Sequence, residues 1–147
     1  MPYATVEDLK LRFGRDVNEA LDRDADGQDD TGLADAVIQD ASSEIDAIIG
    51  VRYPVPVSGC PWLLVACCDL ARYRLYDDAA PESVKERRES VLTTLRSIRD
   101  GRADLIAADG QAIKDKAASG KLSGGATSVA PRDRIFTDQG LAGYMGE

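Results

Sequence analysis

The stretch PWLLVACCDLARYRLY at residues 61–76 decides how the chain folds. Pro61 suits the first turn of an α-helix, where its missing N–H would have had no partner. The first half of the stretch is apolar nearly all round, and such a helix needs cover on more than one face. A central helix is therefore expected over residues 62–76, with Leu64, Cys67, Cys68, Ala71 and Leu75 in the core. Trp62 is expected to anchor its start against the turn at Tyr53 and Pro54.

Both flanks supply amphipathic partners. Downstream, Pro81 opens a helix over 81–100 that buries Val84, Val91, Leu95 and Ile98. Glu82, Lys85, Glu86, Arg87, Arg88 and Glu89 cover its other face, where charges one turn apart support one another. Upstream, Leu33, Val37, Ala41, Ile45, Ile48 and Ile49 make the stripe of a helix from residue 30 or 31 to 49, stopped by Gly50. The prolines of Arg52-Tyr53-Pro54-Val55-Pro56 force extended or turned backbone after it. At the amino end Thr5 and Asp8 form a capping box for a short helix through Phe13, with Val6, Leu9 and Phe13 inward. Gly14 stops it, and Val17 and Leu21 extend the apolar edge through a second short piece. The fold class is all-α, a small bundle of four to five helices with short connections.

Residues 1–100 make one helical unit. Residues 101–147 read as a flexible, Gly-rich linker and an extended arm, with GKLSGGATS as the most linker-like segment. A brief helix is expected over 111–119, and Val129 with residues 134–137 leaves room for a short β-hairpin. Ile135, Phe136, Leu141 and Tyr144 are apolar anchors that can dock on a neighbouring subunit and become ordered there. The whole 147-residue chain has a net charge of −8, all of it carried before residue 101. That balance disfavours tight capture of nucleic acid, which needs cations against phosphate. Aromatics make up only 5% of the chain, so the core must be aliphatic and offers few polar handles to a ligand.

Chemistry-bearing patterns are few. There is no histidine to serve as the base of a nucleophilic triad, and no Gly-rich phosphate loop. Cys60, Cys67 and Cys68 lack disulfide-scaffold or zinc spacing and read as reduced thiols. The start lacks the basic-then-apolar pattern of a signal peptide, and no apolar run is long enough to span a membrane. The acidic loop DRDADGQDD offers Asp22, Asp24, Asp26, Gln28 and Asp30 as calcium ligands. Leu33 stands where a complete loop needs a bidentate Glu, and the competing reading is an acidic turn at a helix amino end. Arg52, Arg72, Tyr73, Arg74 and Tyr76 suit either an interface or ion pairs with Asp46, Asp69 or Asp77 of the same subunit.

Several segments, taken in order, resemble the phage Mu gp36-like family of head–tail joining proteins. They are YATVEDL and RFG at residues 3–9 and 12–14, DRDADG at 22–27, ASSEID at 41–46, RYPVP at 52–56, CDLARYRLY at 68–76 and PRDRIF at 131–136. The resemblance implies a helical adaptor, with residues 1–100 as ring body and 101–147 as linker and docking arm. It also implies a homo-oligomeric, often dodecameric, ring on the portal protein that docks a downstream neck or tail-completion protein. DNA would pass through the channel without sequence-specific binding, in the virion neck, with no enzyme activity and no cofactor. Arg132, Arg134, Ile135, Phe136, Leu141 and Tyr144 then join Arg52, Arg72, Tyr73, Arg74 and Tyr76 as candidate ring or portal contacts. A calcium-responsive helical interaction module is the alternative reading of the acidic loop, and a soluble helical regulator is a second one.

Overall fold

The amino-terminal cap forms as the sequence requires. Thr5 Oγ1 accepts the Asp8 N–H at 3.2 Å, and the Asp8 carboxylate accepts the Thr5 N–H at 2.9 Å. This reciprocal pair starts helix α1, Val6–Leu21, in a computed structural model that describes residues 1–22, 31–76 and 79–117. Gly14 does not end the helix but kinks it, at φ 24° and ψ −95°. The second piece runs on to bury Val17 and Leu21.

Helix α2 spans Thr31–Ile49, α3 Pro61–Leu75 and α4 Glu82–Arg99. With no strand among the described residues, the architecture is a small all-α bundle. Helix α3 is the central element and packs on each of the other three. It buries Leu63, Ala66, Cys67, Cys68, Leu70, Ala71 and Leu75, and with them Asp69. Leu64, expected in the core, is only partly buried at its edge. A helix covered from three sides buries residues according to its neighbours, so one periodic stripe does not describe it. On α2 the stripe holds at Val37, Ala41, Ile45 and Ile49, while Ala34, Ile38 and Ser42 complete it. Ser42 tolerates burial because its hydroxyl donates to the Ile38 carbonyl at 2.8 Å, and it lies 3.4 Å from Cys67 Sγ on α3.

The chain does not leave the bundle when α4 ends. Leu105 is fully buried, and its N–H donates to the Tyr53 hydroxyl at 3.3 Å. The helix expected from residue 111 does not begin there. Instead the chain reverses through Asp109 and Gly110, and Ile106 pairs with Ala112 in an antiparallel bridge. The Ala107 N–H donates to the Gln111 carbonyl at 2.8 Å and the Ile113 N–H to the Leu105 carbonyl at 2.7 Å. Gly110 takes φ 82°, and the Asp109 carboxylate accepts the Gln111 N–H at 2.9 Å. Asp-Gly is a strong local reversal signal, and here it outweighs a short run of helix formers. The hairpin expected around 129–137 lies outside the described residues.

Candidate functional site

The candidate interface residues divide between a clip and a seam. Arg52 forms the clip. Its Nη1 donates to the carbonyls of Ile98 at 3.0 Å and Ala103 at 2.7 Å, and its Nη2 meets Asp104 at 2.5 Å. Its Nε faces Asp115 at 3.4 Å. The planar guanidinium fork thereby joins the α2–α3 connection, the end of α4 and the returning segment. Beside it, the Lys116 N–H donates to the Arg52 carbonyl at 2.8 Å, and the Lys116 ammonium donates to the carbonyl of Gly50.

The end of α3 forms the seam. Arg72 reaches Asp16 on α1 at 2.6 Å and lies 4.5 Å from the Phe13 ring centroid and 6.0 Å from that of Tyr76. Arg74 pairs with Glu44 on α2 at 2.8 Å. Tyr73 lies under Arg88 of α4, 4.6 Å from ring centroid to guanidinium. Intramolecular pairing is thus observed, with acids other than Asp46 or Asp69, while Asp77 lies outside the described residues. The partners are Asp16, Glu44, Asp104 and Asp115, because α3 is flanked by three helices whose facing residues chain distance does not reveal.

Asp46 serves a different partner. Tyr3 donates its phenol to the Asp46 carboxylate and accepts the Val57 N–H at 3.0 Å, while its own N–H donates to Ser42 Oγ at 3.0 Å. Burial, then the Asp46 hydrogen bond, raise the phenol's pKa well above the ordinary tyrosine value. No sequence signal linked Tyr3 to Asp46. Asp69 was equally hidden: it is buried, and its Oδ1 has only Arg87 Nη1 at 3.7 Å, beyond hydrogen-bond reach. Burial raises its carboxyl pKa, and the positive field of Arg87, then of Arg72 and Arg12, works against that rise. Burial likewise pushes the Cys68 thiol up to about 12 and raises Cys67. Both sulfurs are core packing held as thiols, since the thiolate is the reactive form.

The acidic loop is mostly beyond view. Asp22 caps the end of α1, whereas Asp24, Asp26, Gln28 and Asp30 lie outside the described residues. Among the described residues no group of three or more His, Cys, Asp or Glu side chains is placed to hold a metal ion. Arg132, Arg134, Ile135, Phe136, Leu141 and Tyr144 also lie outside them.

An apolar opening lies at one end of the bundle, where α2 and α4 finish and α3 begins. A cleft of about 480 Å³ opens there between the amino-terminal segment and residues 56–61, with Leu64 at its base. Across Cys60 lies a second recess of about 280 Å³, lined by Trp62, Ile98, Leu105 and Ile106. Trp62 therefore lines a recess beside α4 and the returning segment.

The described residues thus form an aliphatic bundle tied internally by arginine contacts, with an apolar opening at one end. The sequence comparisons define it further: residues 3–123 match the model of the family described as Bacteriophage Mu, Gp36, and the chain belongs to that family of phage structural proteins. Gene product J of Escherichia phage Mu is 35% identical over 107 residues, covering 71% of this chain and 76% of that protein. The Mu-like prophage FluMu protein gp36 of Haemophilus influenzae is 30% identical over 110 residues, covering 73% and 77%.

Proposed function

We propose that this chain is a head–tail connector: copies assemble as a ring on the portal, extend the DNA channel and dock the next neck or tail component. The observation that carries this reading is the family match over residues 3–123, which takes in all four helices and the returning segment. The build of the bundle supports it. The role is mechanical, and a body stapled by Arg52 and by the seam at the end of α3 can transmit load between partners without rearranging. The excess of acidic over basic residues suits a wall beside passing DNA, because like charge prevents sticking. No helix among the described residues is long and apolar enough to cross a membrane.

Electron microscopy of the purified chain mixed with its cognate portal tests the proposal. Ring density is expected at the narrow end of the portal. Portals that stay bare at saturating protein would end the connector reading.

A further inference from the structure

We propose that the apolar end of the bundle receives residues 135–144 of an adjacent copy, so that each subunit's carboxyl-terminal arm ties it to its neighbour. The proposal rests on the ring reading and adds to it the receptor and the inserted segment. The receptor is preformed: Pro56 and Pro61 fix the backbone on one wall of the cleft, and the Tyr3 hydroxyl is already engaged by Asp46 and Val57. The cleft and the second recess adjoin at Cys60, which lines both. Ile106, which lines the second recess, is 47% exposed. A preformed apolar recess gains by admitting apolar side chains from outside.

Three observations choose the occupant. The first is where the arm departs: Lys116 is fastened to Gly50 and Arg52, at the end of the bundle that carries the two recesses. The second is length. The seventeen residues 118–134 can reach at most about 55 Å, against a domain radius of gyration of about 13 Å. That length is enough to reach a neighbouring body. The third is charge. In residues 118–147, Lys121, Arg132 and Arg134 balance Asp133, Asp138 and Glu147, so the −8 of the chain belongs to the rest. Bodies of like charge repel one another, and the neutral arm is the piece that approaches a second body without that penalty. Its side chains Ile135, Phe136, Leu141 and Tyr144 are of the apolar class that such recesses admit. Around a ring, each arm's contact reinforces the next.

Disulfide trapping in the full-length chain tests this. Ala108, exposed at the cleft rim, is changed to Cys in one preparation, and Thr137, beside the intact Phe136, is changed to Cys in a second. The two are mixed, with and without portal, oxidised, and mapped by mass spectrometry. A disulfide joining 108 of one chain to 137 of another is expected. Adding Phe136→Asp to the Thr137→Cys chain should cut its yield about tenfold, the loss of one aromatic anchor. A chain carrying both substitutions that links only within itself would overturn the proposal in favour of the arm filling its own cleft. Rings on the portal without any 108–137 link would overturn it while leaving the connector reading intact. A link between chains without rings would support the arm exchange and count against the connector.

Discussion

Arg52 donates to two carbonyls and two carboxylates, so its removal strands acceptors at the end of α4 as well as losing an ion pair. Arg52→Ala should lower stability by about 2–3 kcal/mol in urea unfolding. Arg52→Lys should recover only a minor part, since a single ammonium cannot reproduce the fork. Asp69 argues the opposite case, a charge that the fold tolerates at a cost. Its pKa is raised in the folded state, so the folded protein holds the proton more tightly than the unfolded chain. Stability contributed by this group is therefore full below the ordinary carboxylate value and is lost as pH rises through the raised one. The ion pair with the largely exposed Arg87 offsets little of that. Asp69→Asn should raise the urea midpoint at pH 7 and give no gain near about pH 3, where the native carboxyl is protonated too.

At the level of elements, the glycines carry the sharpest expectations. A Cβ on Gly50 would stand 2.5 Å from the Asp46 backbone oxygen, in the last turn of α2, and 3.4 Å from Val55. Gly50→Ala should therefore cost about 1–3 kcal/mol by thermal unfolding, with the α2 terminus or residue 55 displaced. Gly14 illustrates how an element was legible in outline but not in detail. Its interruption of a helical pattern announced a break, and Val17 and Leu21 announced helix beyond it, but a stop and a kink read alike in sequence. The capping box and the limits of α2 were readable because both depend on residues within four positions of one another. The reversal at Asp109 and Gly110 carried a local signal too, though a competing helical reading of 111–119 obscured it.

For the whole molecule, the question is where the folded body ends. Leu105 sits in the core, Tyr53 receives its N–H, and Arg52 grips Ala103, Asp104 and Asp115. Truncation after residue 117 should retain the body, whereas truncation after residue 100 should lose at least about 2 kcal/mol relative to it, from Leu105 burial and the vacated clip. Circular dichroism melts of the two truncated chains make the comparison; equal midpoints would show that the returning segment contributes nothing. The same contacts bear on assembly, since they set the point from which the arm departs.

The sequence by itself determined the all-α class, the burial of α3 and the aliphatic character of the core. Apolar periodicity and caps are short-range properties that any chain carrying them expresses locally. Only the tertiary structure decided which acids the arginines meet, that Asp69 is buried while Leu64 lies at an edge, and that residues 103–116 close back onto the bundle. Those outcomes depend on which side chains three surrounding helices bring to one point. Separation along the chain holds no record of it, because packing selects partners by distance in space.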